Sequence, residues 1–382
     1  MKIAFISTSR YPTEKAYGVT TRETAHAARK LGHDVAIFAF MGGGGDERGN
    51  KITYISKSRF ISILFLLARI RLIGPIFFVI RSVMCGFTRN LCESIKDRDL
   101  IIVRDPYLLP GLWLKMRGRT FLLELHHVPS RIARLVISSL NFRNELRLAA
   151  ITPRLQNILQ AMLPIAEIRL LPMAVPEEFF SLTKKHEKQT YRNVIYVGKS
   201  SSSGVDSNLN YLLESMALCR RLNLDLKLQL IGIETEAIKH LDTLAFNLGL
   251  KKSDISIVGH LTHPEVLKHL QNAEIGVLPY TSNNYNNSRF PIKALEYAAT
   301  GCLILASNIP AHHELFPKGT AIFFDPTDLG SFSKALSDLH AGKYSGQEIL
   351  STARAWSEEF TYENRVVKAI ANVSKIGTAK KG

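Results

Sequence analysis

The stretch Ser288–Ser307, SRFPIKALEYAATGCLILAS, places a helix and a strand in succession. Pro291 suits a first helical turn, where its missing N–H has no intrahelical partner to lose. Gly301 is a helix stop, and Leu303–Ser307 is an apolar, β-like run. Between them, Lys293 and Glu296 interrupt the otherwise apolar Ala294, Leu295, Tyr297 and Ala298. A carboxylate on a core-facing helix needs a partner, and a ligand is one kind of partner.

The same alternation of helix and short apolar strand runs through the chain. KIAFIST opens it as a strand, TTRETAHAARKLGH follows as a helix ending at Gly32, and DVAIFAF is the next strand, closed by the glycines Gly42–Gly45. DLIIVRD and TFLLELHH are further strands. A second series holds VIYVGKS, LDLKLQLIG, DISIVGH, AEIGVLP, CLILAS and TAIFFD. Strands alternating with helices predict an α/β protein with parallel sheets covered on both faces. Periodicity lapses and charge rises after Pro176. The predicted domains are therefore 1–175 and 191–355, with a linker over 176–190, in keeping with a length of 382 residues.

Composition narrows the class. Four cysteines without paired spacing (Cys85, Cys92, Cys219, Cys302) fit a reduced compartment and argue against a disulfide scaffold or a zinc site. The opening MKIAFISTSR has too short an apolar run for a signal peptide. Residues 1–175 hold 26 Lys and Arg against 12 Asp and Glu, a balance of +14, whereas the chain as a whole carries +16. A basic first half points to nucleic acid, anionic lipid or a phosphorylated substrate. Nucleic acid is set aside, because the basic segments lack interleaved aromatic platforms and any recognition motif.

Arg59–Arg89 contains two apolar runs of nine residues, Phe60–Ala68 and Leu72–Ile80, with Arg69 and Arg71 between them. A spanning helix needs roughly 20 apolar residues in succession, so neither run crosses a bilayer. Large apolar residues mixed with Arg describe a helix lying in the membrane interface, with Phe65, Leu66, Phe77 and Phe78 as its large side chains. The competing reading is a buried helical hairpin whose arginines emerge at its ends.

In the loop after the first strand, Gly18 is the residue whose missing side chain would let the backbone approach a ligand at a helix N-terminus. The G-x-G-x-x-G dinucleotide spacing is absent, as are a P-loop and a G-x-S-x-G elbow. Asp97–Asp99 (DRD) precedes a strand rather than following one, and His312–Glu314 (HHE) are successive residues whose side chains diverge, so neither is read as a metal site.

Four segments together resemble the GT-B glycosyltransferases, specifically the family 4 retaining enzymes of group 1. They are LGHDVAIF after the first helix, IIVRDPYLLPGLWLKMRGRTFLLELHHVP, the SRFPIKALEYAATGCLILAS stretch with its P-x-K-x-x-E-Y-x-A-x-G pattern, and AWSEEFTYENR near the end. With gaps, the likeness covers nearly the whole chain. It implies two Rossmann-like domains facing each other across a cleft, the acceptor in the first and a nucleotide sugar in the second. It also implies a last helix, residues 356–382, that crosses back to the first domain.

The resemblance assigns roles residue by residue. Glu296 accepts hydrogen bonds from the donor ribose hydroxyls, for which a carboxylate with two oxygens is suited. Pro291 and Ile292 begin the helix whose N-terminus faces the diphosphate. Lys293 faces either that diphosphate or solvent. His126 matches the first-domain His beside the reacting sugar and is the candidate catalytic residue. His127 stands where the family more often has an acid. Arg104 and Asp105 end a strand, where they line the acceptor site or pair with each other. His260 lies where the family's loop passes the nucleotide base. Two positions depart from the pattern: Ser288 replaces a Glu that binds the donor sugar, and Ser203 replaces a diphosphate-binding Lys, leaving Lys199 and Arg289 as the cations there.

The expected function is therefore transfer of a sugar from a UDP- or GDP-sugar to a lipid-linked or polysaccharide-precursor acceptor. The resemblance implies retention of configuration, no cofactor and no metal. The basic first half and Arg59–Arg89 place the protein at the cytoplasmic face of a membrane rich in anionic lipid. The alternative is a GT-B protein that binds a nucleotide sugar without catalysis.

Overall fold

The computed structural model describes residues 1–13, 16–42, 49–55, 59–68, 70, 74–141, 146–182, 191–202 and 204–374. The chain divides into two compact units, Met1–Met173 with Tyr362–Gly382, and Ala174–Thr361. Most of the glycine run, Arg69, Arg71, residues 183–190 of the linker, and Ser203 lie outside the described residues.

Unit 1 is built on a seven-stranded parallel sheet. Its strands are β1 (Lys2–Arg10), β2 (Asp34–Met41), β3 (Ile52–Tyr54), β4 (Leu100–Val103), β5 (Thr120–Leu125), β6 (Leu146–Ala150) and β7 (Ile168–Leu170). They lie in the order β3-β2-β1-β4-β5-β6-β7. Its helices are α1 (Ala16–Lys30), α2 (Arg59–Leu67), α3 (Gly74–Gly86), α4 (Arg89–Ile95), α5 (Leu109–Lys115), α6 (Arg131–Asn141) and α7 (Pro153–Met162). Parallel strands covered on both faces read as continuous apolar runs, and all of Leu100–Val103 is buried. Three strands went unrecognised in the sequence: β3, β6 and β7. Two of them are the short edges of the sheet, and β6 begins with Leu146-Arg147 rather than an apolar run.

Helices α2 and α3 pack together as a hairpin, and α3 also packs on α5. Neither reading of Arg59–Arg89 describes it fully. Ile61, Leu64 and Phe65 face inward, whereas Phe60, Ile63 and Leu66 on α2 and Ile76, Ile80 and Met84 on α3 are exposed. The last three recur every fourth residue and so form one stripe along the helix. Of the four large side chains expected at a membrane, only Leu66 is well exposed; Phe65 is buried and Phe77 and Phe78 are partly covered. No helix among the described residues is long and apolar enough to cross a membrane.

Unit 2 holds a six-stranded parallel sheet and a small antiparallel hairpin. The strands are β8 (Asn193–Val197), the hairpin strands β9 (Ser201–Ser202) and β10 (Val205–Asp206), then β11 (Lys227–Ile231), β12 (Ile255–Val258), β13 (Ile275–Leu278), β14 (Leu303–Ser307) and β15 (Ala321–Phe324). The sheet order is β12-β11-β8-β13-β14-β15. Helices α8 (Leu209–Arg221), α9 (Thr235–Asn247), α10 (His263–Asn272), α11 (Ile292–Ala299), α12 (Pro310–Leu315), α13 (Leu329–His340) and α14 (Gly346–Glu358) complete it. A capping box between Thr262 and Glu265 starts α10. Trp356 lies in α14, edge-on to Phe316 and Phe360 in this unit. The return to unit 1 begins at Tyr362, where α15 (Tyr362–Ser374) packs on α1 and buries Tyr362, Val366 and Ala369.

Candidate functional site

Each sheet reverses its direction of growth once. In unit 2 the chain runs outward from β8 through β11 to β12, then resumes at β13 on the other side of β8. Ligands of open α/β sheets bind outside the strand C-termini at such a reversal. Ladder pairing between β8 and β13 includes Ile195 with Gly276 but does not extend to Val197. Val197 N instead donates to Tyr297 Oη at 2.9 Å. The Tyr297 ring lies directly against Gly276, where an added Cβ would come within 2.2 Å of it. An α11 side chain thus takes the place of a strand partner and ties α11 to the mouth of the reversal.

Two loops meet there. The hairpin β9–β10 follows β8, and its Ser202 Oγ lies 2.8 Å from Tyr285 Oη in the loop before α11. Asn208 Nδ2 donates to Pro279 O at 3.0 Å. Arg289 lays its guanidinium over the Tyr280 ring, 3.8 Å from the centroid. Ser288, at the departure from the family pattern, donates its hydroxyl to Asn284 O at 2.9 Å and also approaches Tyr285 O, so it fastens its own loop.

Helix α11 carries the charged pair. Glu296 is 1% exposed, and its Oε2 accepts from Lys293 Nζ at 2.7 Å. Lys293 is therefore turned toward Glu296 rather than held apart in solvent. Pro291 is the N-cap and Ile292 the first helical residue, and no side chain caps the first turn. The first N–H groups of a helix have no intrahelical acceptor and favour an anion. Lys199 is exposed beyond β8, 3.8 Å from Glu234 Oε1. Burial would raise the Glu234 carboxyl, but hydrogen bonds from Ser200 and the charge of Lys199 hold it below its usual value. His260 is exposed past the end of β12.

His312 and His313 take different neighbours. His312 is buried beside Tyr280, with Nδ1 2.8 Å from Ser307 O, and burial pushes its pKa down to about 4. His313 stacks on Phe323. Asp97 pairs with Lys2 Nζ, and Asp99 accepts from the Lys2 backbone N–H. No group of side chains suited to a metal ion occurs among the described residues.

In unit 1 the reversal lies between β1 and β4. Arg104 and Asp105, at the end of β4, do not pair with each other. Asp105 Oδ2 accepts from Thr8 Oγ1 at 2.9 Å, and Oδ1 accepts from Tyr107 N at 3.0 Å, capping the turn Pro106–Leu108. Arg104 Nε donates to Glu124 Oε2 at 3.0 Å and Nη1 to Tyr17 O at 3.0 Å. Gly18 proves to lie within the first turn of α1 rather than in the preceding loop. A Cβ there would come within 2.4 Å of Thr13 O, so its small size is required by the protein's own backbone.

Glu124, within the strand TFLLEL, organises this region. It is 2% exposed and meets Arg104, His126 Nε2 at 3.4 Å and Arg365 Nη2 at 2.9 Å. Burial opposes its ionisation, yet Arg365, Arg104 and His126 hold it well below the usual carboxylate range. His126 is pushed down to about 4 by burial and by Arg104, against the pull of Glu124. It is therefore neutral near pH 7, and its Nε2–H donates to the carboxylate, leaving the Nδ1 lone pair. His127 is exposed. A single acid inside the apolar run FLLEL was the signal available for Glu124; Arg365 had none, because its partner lies in a distant segment.

Residues 191–341 match the family model for glycosyl transferases group 1. The matched residues lie within unit 2. No relative among curated protein sequences matches the chain. Several solved structures are similar to the whole of it. A glycosyltransferase from Rickettsia africae is 16% identical, with 97% of this chain and 98% of that one covered and a TM-score of 0.72. Anabaena Alr3699/HepE in complex with UDP and glucose is 14% identical over 98% and 100% of the two chains, with a TM-score of 0.68. A UDP-forming trehalose-phosphate synthase from Burkholderia xenovorans is 13% identical over 99% and 100%, also at 0.68. These likenesses establish the GT-B fold. With the group 1 match, they support a GT-B glycosyltransferase.

Proposed function

We propose that this chain is a retaining, metal-independent glycosyltransferase of the family 4 type, moving a sugar from a UDP- or GDP-sugar to a lipid-linked or polysaccharide-precursor acceptor. The observation that carries the reading is the buried Glu296, paired with Lys293 on α11, at the strand reversal of unit 2 and within the group 1 match. Its carboxylate is suited to two neighbouring ribose hydroxyls, which it would accept in exchange for part of its bond to Lys293. Lys293, released toward the leaving diphosphate, would join Lys199, Arg289 and the uncapped N-terminus of α11 in offsetting the charge that develops there. UDP in the HepE complex and in the name of the trehalose-phosphate synthase supports a uridine donor.

Unit 1 takes the acceptor. His126, neutral and oriented by Glu124, presents Nδ1 as a hydrogen-bond acceptor to a sugar hydroxyl. The exposed apolar stripe of α2 and α3 and the basic balance of residues 1–175 support action on a lipid-linked acceptor at the cytoplasmic membrane face. A second reading, donor binding without transfer, is favoured by Ser288, whose hydroxyl is engaged by its own loop where the family has a sugar-binding Glu. Thermal shift with a panel of UDP- and GDP-sugars, followed by transfer assays, decides between them. Retention is read from the anomeric coupling of the product by NMR. Stabilisation by a nucleotide sugar with no transfer to any offered acceptor would favour the second reading; no stabilisation at all would overturn both.

A further inference from the structure

Arg81 lies on α3, inside the hairpin, with only 6% of its surface exposed. Its guanidinium carbon lies over two rings, 4.6 Å from the centroid of Phe65 and 4.4 Å from that of Phe78. Nε and Nη2 are buried and find no hydrogen-bond partner among the described residues. The adjacent Ser82 hydroxyl is likewise buried and unpartnered. A guanidinium does not lose its proton in proteins, so this is a buried cation awaiting a counter-charge.

The surrounding acid does not supply one. Asp105 lies within electrostatic reach of Arg81. Both its oxygens, however, are engaged, by Thr8 Oγ1 and by Tyr107 N. That same Asp105 ends β4, at the strand reversal of unit 1, so Arg81 lies close to where this sheet takes a ligand. Phe78 meets Tyr107 edge-on at 6.4 Å, which ties the aromatic pair to the turn after β4.

We propose that Arg81 is an anion site of unit 1, gripping phosphate oxygens of the acceptor with the edge of a guanidinium held against Phe65 and Phe78. A planar guanidinium fork fixed against aromatic rings is suited to bidentate contact with phosphate. The ligand's identity as an acceptor rests on the function proposed above, whereas the site rests on Arg81 and its rings alone. Two sources share the chemistry: a polyprenyl diphosphate, beside the exposed stripe of the same hairpin, and a soluble sugar phosphate.

The test is calorimetric titration of the full chain with inorganic pyrophosphate after saturation with UDP, which blocks the donor site of unit 2. The wild type should bind. Arg81→Met should bind at least about tenfold more weakly, and Arg81→Lys, which keeps charge but loses the fork, should fall between. UDP affinity should be unchanged in both. Should Arg81→Met not fold, the Arg81 Nε–H signal of the wild type, identified by its loss in Arg81→Lys, should shift on adding pyrophosphate. Competition by farnesyl diphosphate in neutral vesicles identifies the lipid source, and competition by glucose 6-phosphate the soluble one; either supports the site. An unchanged affinity in Arg81→Met, or a wild type that ignores pyrophosphate, overturns it. Failure of UDP to bind would instead count against the donor reading, and the comparison of wild type with Arg81→Met would still judge Arg81.

Discussion

Arg365 Nη2 approaches Glu124 Oε2 to 2.9 Å, with 2% of each side chain exposed. Nη2 has no aligned hydrogen bond, so the attraction there is Coulombic. Arg365 Nη1 donates to Leu171 O at 2.9 Å and to Pro172 O, which binds α15 to the last residues of unit 1 before the chain leaves it. Removing one partner of a buried pair leaves the other uncompensated, at about 3–5 kcal/mol. Arg365→Met should destabilise unit 1 toward the lower part of that range, because Arg104 still neutralises Glu124. Urea unfolding followed by near-UV signal measures it. A loss below about 1 kcal/mol, the scale of a surface pair, would mean that α15 is held by its apolar face alone.

Glu296→Gln keeps the shape of the α11 side chain and removes its charge. Nucleotide-sugar affinity should fall by roughly 1.5–3 kcal/mol, the worth of a hydrogen bond to a charged group. Calorimetry with UDP or GDP reads it, and undiminished affinity would remove Glu296 from the ribose site.

Lys199 stands exposed beyond β8 and only loosely paired with Glu234. Lys199→Ala should weaken a nucleoside diphosphate far more than the corresponding nucleoside, since only the former carries the charge a cation reads. Equal losses for both ligands would assign Lys199 to holding the loop.

The pKa of His126 lies at about 4 in the folded chain against an ordinary 6.5. Unfolded, the imidazole takes a proton as pH falls below about 6.5; folded, it does so only near 4. The unfolded state therefore binds more protons across that window, and stability drops as pH falls through it. His126→Asn should remove this contribution, worth about 1 kcal/mol per pH unit between those limits. Urea midpoints at pH 7, 6, 5 and 4.5, on the order of half-unit to unit steps across the window, supply the comparison. Parallel profiles for variant and wild type would show that His126 titrates normally.

The exposed stripe predicts attachment to anionic membranes. Sedimentation with anionic liposomes should be strong, weaker with neutral ones, and reversed by high salt. Replacing Ile63, Leu66, Ile76 and Ile80 by Ser should release the protein without touching the rings beside Arg81, because these side chains face outward. A variant that still sediments fully would falsify the assignment of this surface to lipid.

Much of this was legible in the sequence because it depends on neighbours along the chain. Apolar runs such as LIIV and CLILAS declare strands buried on both faces. Lys293 and Glu296 are one turn apart on a helix, but the sequence left Lys293 facing diphosphate or solvent, because spacing does not fix which way a long side chain turns. Gly18 stands in the first turn of α1 rather than in the loop before it, and it is crowded by Thr13, which spacing along the chain does not reveal. Arg59–Arg89 was only half legible: composition gives the apolar content, but burial of Phe65 and exposure of Leu66 follow from which helix face packs on the rest of unit 1.

By itself the sequence determined the two α/β units, the helix–strand stretch around Glu296, the basic balance of the first half and the two apolar runs. Each of these is a local property, set by periodicity, capping or composition within a few turns. The tertiary structure alone decided that Glu124 is shared by Arg104, His126 and Arg365, that Tyr297 takes the place of a strand partner for Val197, and that Arg81 sits uncompensated over two rings. Those relationships join residues that are far apart in the chain or that depend on a helix face. They come into being only when packing removes water and leaves each buried charge to find its partner.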